Sequence, residues 1–203
     1  MHGYQRADGR KGIRNVVAVA YLVECARHVA HEIAAEFRGQ AVHVIGFPGC
    51  YPNPYAHRMM RQLCTHPNVG AVLLVSLGCE GFDRRGLRGA IEESGRPVDL
   101  VGIQTTGGTR STIRRGVEWV RGALAQLAET PRVTMTAADL VVGTICGGSD
   151  ATSGLTANPA MGIAFDTLVA AVCCRRDGRP RRADRGGLDG PLVASQSGRS
   201  REL

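Results

Sequence analysis

Aromatic residues make up only 4% of this 203-residue chain, and Lys11 is the sole lysine among 25 basic residues. So few rings exclude the stacked aromatic platforms, interleaved with cations, that hold single-stranded nucleic acid. Long apolar runs are missing too. The longest, Val16 to Val23, falls far short of the roughly 20 residues a membrane-spanning helix needs. The opening Met1-His2-Gly3-Tyr4-Gln5-Arg6 has no apolar stretch of the kind a signal peptide carries. The expectation is a cytoplasmic chain. There is no G-x-G-x-x-G and no G-x-x-x-x-G-K-[ST], so neither dinucleotide nor P-loop phosphate binding is supported. No C-x-x-C pair marks a compact metal ribbon.

What is present bounds the answer further. The length suits one or two domains of roughly 100–200 residues each. Hydrophobic residues are 43% and charged ones 21%, enough to build a core and too apolar for wholesale disorder. The net charge of +7 is unevenly spread. From Cys173 to Leu203 eight arginines face four acids, which leaves +3 for everything before, an ordinary value for an enzyme. That last stretch is rich in Arg, Gly, Asp, Ser and Pro without apolar periodicity, and reads as a disordered basic tail. Nucleic-acid binding through it is the minor reading, and would show steeply salt-dependent affinity.

Short β-branched runs at 16–23, 41–47, 69–77, 98–103 and 140–145 read as strands. Helical period covers 25–37, 56–64, 84–93 and 111–127. In the last, Ile113, Val117, Val120, Leu124 and Leu127 recur at the spacing of a buried stripe. Strands apolar on both faces, each followed by a helix, indicate a doubly wound parallel sheet of Rossmann-like α/β type over residues 1–131. After Thr130-Pro131 a second α/β unit begins, residues 132–172, with a glycine-rich loop and a helix from about Pro159. The tail at 173–203 interrupts it.

Seven cysteines in a reducing compartment point to metal or catalytic chemistry before disulfides, although free cysteine also serves as a small core residue. Position discriminates. Cys25, Cys50, Cys79 and Cys146 each stand just past an expected strand, at the carboxyl ends where open α/β sheets bind ligands. With Glu80 and Asp150 nearby, they suggest a site for zinc, ferrous iron or an iron–sulfur cluster. The turns Gln104–Arg110 and Cys146–Gly154 lie between strand and helix. Their amides and hydroxyls, around Thr106, Gly147 and Gly148, suit a carboxylate or phosphate. His57, opening the helix after the Cys50 loop, is the best-placed acid–base candidate. In Gly3–Asn15 four cations crowd around three glycines, either a solvated arm or arginine forks for carboxylates.

Two segments carry a resemblance. GYQRADGRKGIRN (residues 3–15) resembles the opening of the large domain of altronate and galactarate dehydratases, and CGGSDATSGLTANPAMG (146–162) resembles that family's glycine-rich signature. The GC at Cys50 and GCE at Cys79–Glu80 are similar to its two middle loops. The resemblance implies a hydro-lyase that converts an aldonic or aldaric acid to a 2-keto-3-deoxy acid with a divalent metal. Iron(II) is expected, with manganese or an iron–sulfur cluster as alternatives. It places Cys50, Cys79, Glu80 and Cys146 at the metal, and Arg10 and Arg14 on the substrate carboxylate. Ser149, Asp150 and Asn158 line the pocket, Ser149 and Asp150 in catalytic roles beside His57. Sulfolactate sulfo-lyase is a sister activity on the same scaffold. The family's small N-terminal domain is missing here, which implies a separate small subunit and an oligomer. The abrupt tail suggests a truncation or frameshift, so an inactive remnant that only binds ligand or partner is the competing reading.

Overall fold

The computed structural model describes residues 1–145, 148 and 150–173 of the chain. It divides into two compact units, Met1–Met135 and Thr136–Leu203. The first opens with an antiparallel hairpin, β1 (His2–Gln5) against β2 (Lys11–Gly12). Then come β3 (Val16–Tyr21), α1 (Arg27–Ala35), β4 (Val42–Gly46), α2 (Pro54–Cys64), β5 (Val69–Ser76), α3 (Arg84–Glu93), β6 (Val98–Gly102) and α4 (Thr109–Ala128). A two-residue strand, β7 (Val133–Thr134), returns to pair with β1.

The four longer strands form one parallel sheet in the order β4-β3-β5-β6. Strand periodicity sends alternate side chains to opposite faces. Val17 and Val19 of β3, with Ala71, Leu73 and Val75 of β5, meet Val29 and Ile33 of α1 and Val120 of α4. Ala18, Ala20, Val72 and Leu74 face the other way, onto Met60 and Cys64 of α2 and Leu87 and Ile91 of α3. All eight residues of β5 are buried, as a central strand covered on both faces requires. This is the doubly wound sheet expected from the sequence. The helix ends are set locally. Asn53 caps α2 by accepting from the Ala56 amide at 3.0 Å, ahead of Pro54 in the first turn, and Asp83 caps α3 through the Gly86 amide at 2.9 Å.

In the second unit, a 3-10 turn (Ala137–Asp139) is closed by Asp139, which accepts from the Thr136 amide at 2.8 Å. The helix α5 (Asn158–Cys173) follows a π-helical turn at Ser153–Ala157. The expected strand at 140–145 is not formed. Those residues are irregular, with Val141 81% and Ile145 93% exposed. A strand needs a neighbour for its backbone groups, and no described residue of this unit forms one. Of the tail expected at 173–203, Cys173 closes α5 and residues 174–203 lie outside the described residues. No described helix is long and apolar enough to cross a membrane.

Candidate functional site

The strand order places a topological switch between β3 and β5, because the chain adds β4 on one side of β3 and then crosses to β5 on the other. Crevices at such points, outside the carboxyl ends of the strands, are where open α/β sheets bind ligands. Three of the cysteines singled out above stand on this rim. Cys25 sits in the 3-10 turn after β3, Cys50 in the loop after β4 and Cys79 in the loop after β5, all exposed. The loops are stitched together by backbone: the Glu24 amide donates to Pro48 O (3.3 Å) and the Gly81 amide to Cys50 O (2.9 Å). Thr106 belongs to the same rim, in the turn after β6, where its amide donates to Gly102 O.

Glu80 has a different job from the one expected. Its side chain is fully buried. Ser76 Oγ donates to its Oε1, the Gly78 amide donates to its Oε2 at 2.7 Å, and Arg84 lies 3.6 Å from Oε1. Arg84 also donates to Ser76 Oγ and Gly78 O. Gly78 permits the turn: its φ of +128° is closed to most side chains, and a Cβ there would meet Gln104 Oε1. Burial alone would raise the carboxyl's pKa. The bonds from Ser76 and the Gly78 amide, with Arg84 adding its charge, outweigh that and hold it below the ordinary value. Both carboxylate oxygens are thus spent on the turn that presents Cys79.

The arginine-rich opening is not on the rim at all. Arg6 is buried, donating from Nε to Pro67 O (2.7 Å) and from its two terminal nitrogens to Asn15 Oδ1 (2.8 Å) and Arg14 O (3.1 Å). Arg10 is paired to Asp8 and donates to Thr65 O. Thr65 and Pro67 follow the C-terminus of α2 and precede β5, so these contacts lie at the amino ends of the strands. Two glycines make the docking close. A Cβ on Gly12 would lie 2.2 Å from Pro67 O, and one on Gly3 2.4 Å from Gly12 O. Arg10 and Arg14, expected on a substrate carboxylate, are therefore separated from Cys25, Cys50 and Cys79 by the length of the sheet. Burial first, and then the Arg96 cation, lower the Arg6 pKa to about 10, which leaves it charged at neutral pH.

In the second unit Asp150 acts as a cap. It accepts from Thr152 Oγ1 (2.6 Å) and from the amide and hydroxyl of Ser153 (2.8 and 3.1 Å), bonds that hold its pKa down. Gly148 O accepts from Ser153 Oγ, and Asn158 is exposed at the start of α5. Cys146, Gly147 and Ser149 lie outside the described residues.

Residues 3–128 match the model of the second domain of D-galactarate dehydratase/altronate hydrolase, and residues 137–174 match the C-terminal domain of D-galactarate/altronate dehydratase. The chain belongs to this dehydratase family. Among its relatives, the altronate dehydratase of Escherichia coli is 27% identical over 82% of this chain and 36% of its own length. The galactarate dehydratase (L-threo-forming) of Escherichia coli is 31% identical over 82% of this chain and 36% of its own. The (2R)-sulfolactate sulfo-lyase subunit beta of Chromohalobacter salexigens is 30% identical over 84% of this chain and 44% of its own. The chain thus spans well under half the length of these relatives. No solved structure matches it.

A divalent metal was expected in this dehydratase domain on Cys50, Cys79, Glu80 and Cys146. Among the described residues, no three His, Cys, Asp or Glu side chains gather as metal ligands. Glu80 is committed to its turn, and Cys146 is outside the described residues. The described donors do not make a metal site by themselves. His57 does reach the rim: its Nε2 is buried with no hydrogen-bond partner among the described residues, 3.9 Å from Asp83 Oδ2. Asp83 and Arg58 were not singled out from sequence. The helix-capping pattern before α3 was the one signal that marks Asp83.

Proposed function

We propose that this chain supplies the large-domain portion of a sugar-acid hydro-lyase, removing water from an aldonic or aldaric acid to give a 2-keto-3-deoxy acid. The observation that carries this reading is the pair of consecutive family matches, at 3–128 and 137–174, in the chain order of the dehydratase domains. The rim at the β3/β5 switch supports it, because it gathers exposed thiols, a buried imidazole nitrogen and hydroxyl-bearing turns where small ligands bind such sheets. The reaction breaks a C–H bond beside the carboxylate and the neighbouring C–O bond, and the hydroxyl leaves as water. The enol formed tautomerises to the keto acid. What the protein must supply is charge stabilisation next to the carboxylate and a group to carry the proton. His57 is the described rim residue suited to the second task.

The reading includes iron(II), a separate small subunit completing the enzyme, and a cytoplasmic location. A second reading, elimination of sulfite from sulfolactate, is favoured by the 30% identity to a sulfo-lyase subunit beta. Incubation of the anaerobically purified chain with galactarate, altronate and sulfolactate separates the two. Appearance of 2-keto acid from either sugar acid supports the dehydratase, and sulfite from sulfolactate supports the alternative. No product from any of the three, with iron and small subunit added, overturns both.

A further inference from the structure

Between the first turns of α2 and α3 lies a cavity of about 340 Å³ whose lining includes Pro52, Asn53, His57, Arg58, Phe82 and Asp83. That volume is at the small end of ligand pockets, about 300–1,000 Å³. Phe82, 5% exposed, gives it an apolar wall, with its ring 5.8 Å from Phe47 and 5.5 Å from the His57 imidazole. Three polar groups are left without a full set of partners among the described residues. His57 Nε2 is buried and has no hydrogen-bond partner among the described residues. Asp83 uses Oδ1 to cap α3 and points Oδ2 toward His57 at 3.9 Å, too far for a hydrogen bond. A Cβ on Gly86 would fall 2.2 Å from that Oδ2, so the glycine leaves room for the carboxylate to lie there. Arg58 is exposed and makes no ion pair among the described residues.

We propose that this groove is the hydroxy-carboxylate subsite. Arg58 takes the carboxylate, and a hydroxyl beside it bridges His57 Nε2 and Asp83 Oδ2. Two atoms 3.9 Å apart are spanned by one oxygen about 2.8 Å from each, and because Nε2 is shut off from solvent the imidazole turns to meet it. Asp83 Oδ2 accepts from the hydroxyl and His57 Nε2 donates to it, so that each open group is satisfied by one ligand feature. Asp83 is a positioning residue: its charge fixes which imidazole nitrogen carries the proton. The assignment rests on the sugar-acid reading and moves carboxylate recognition from Arg10 and Arg14 to Arg58. A neutral polyol lacks the anion for Arg58, and a simple fatty acid lacks the bridging hydroxyl.

The test uses the full chain, ¹⁵N-labelled at histidine, titrated with galactarate by calorimetry and by imidazole nitrogen spectra. Wild type is expected to bind galactarate but not galactitol, with the His57 Nε2 resonance moving on binding. Arg58→Gln and His57→Gln each weaken binding by at least about tenfold, as loss of a charge-assisted contact does, while Arg85→Gln on α3 leaves it within about twofold. Asp83→Asn keeps the α3 cap and is expected to weaken galactarate binding by at least about tenfold, whereas a carboxylate that only caps α3 leaves the affinity unchanged. Arg58 and Arg85 are exposed, so their substitutions leave the core intact. Galactarate bound equally by wild type and Arg58→Gln, with the His57 resonances still, overturns the groove and leaves the sugar-acid reading standing. A wild-type chain that binds none of galactarate, altronate or sulfolactate overturns that reading, and the groove with it.

Discussion

Glu80 shows how a residue's neighbours decide its role. Standing next to Cys79, it suggested a metal ligand. The positive φ of Gly78 folds the chain back so that the carboxylate meets Ser76 Oγ and the Gly78 amide instead. Its pKa is held below the ordinary 4.5, so its contribution to stability is present above that value and is lost as pH falls through the lower folded value. Glu80→Gln is expected to lower stability in urea at pH 7 by about 1–3 kcal/mol, the range for hydrogen bonds to a buried charge. The deficit relative to wild type should shrink below pH 4. An unchanged midpoint, or a constant deficit, would contradict the clamp. The thiols divide just as sharply. Cys64 is buried against the sheet, and burial pushes its pKa to about 12. In the native chain iodoacetamide should modify Cys25, Cys50 and Cys79 and spare Cys64 until denaturant is added, as peptide mass mapping would show.

At the scale of elements, the hairpin of β1 and β2 is the least obvious piece of the fold and the one most densely pinned. Arg6 ties it to Pro67, Asn15 and Arg14, and Asn15 Nδ2 donates to Leu127 O at the end of α4. Asp8 reaches the buried Arg96, which itself holds Val69 O and His66 O. Arg6→Met leaves carbonyls without their donor, and a loss of about 2–3 kcal/mol is expected. Gly12→Ala, which drives a Cβ into backbone, should lose at least as much. Hydrogen exchange would then rise first in β1, β2 and β7. If exchange instead rises uniformly, the hairpin is part of the global unit and not a separable flap. The motif was legible as cationic and glycine-rich, but a string of residues does not say at which end of a sheet it will dock. The helical periods of α2 and α3 were likewise legible, whereas the approach of their first turns to form one groove was not.

At the scale of the whole molecule, the first unit has its own sheet with both faces covered. Expressed as residues 1–135 it should fold cooperatively, with a circular-dichroism spectrum of mixed helix and strand and a single urea transition. A chain that aggregates or melts without cooperativity would show that the rest of the protein is needed. Metal analysis belongs at this scale too, because it depends on donors brought together from distant loops. If the proposed iron is completed by donors beyond the described residues, the anaerobically purified full chain carries it, Cys50→Ser and Cys79→Ser lose it, and Glu80→Gln retains it, since Glu80 spends both oxygens on its turn. A folded chain without metal removes iron from the proposal. The local and periodic features were legible in the order of residues alone: four β-branched runs, the helices between them, their covering of both faces, and the placement of three thiols just past strand ends. These follow from side-chain period and backbone propensity, which act over a few residues. Long-range contacts settle which end of the sheet receives the arginines, that Glu80 closes a turn, that 140–145 pairs with no strand among the described residues, and that His57, Arg58 and Asp83 share one groove. Each of those depends on contacts between residues far apart in the chain, which no local pattern encodes.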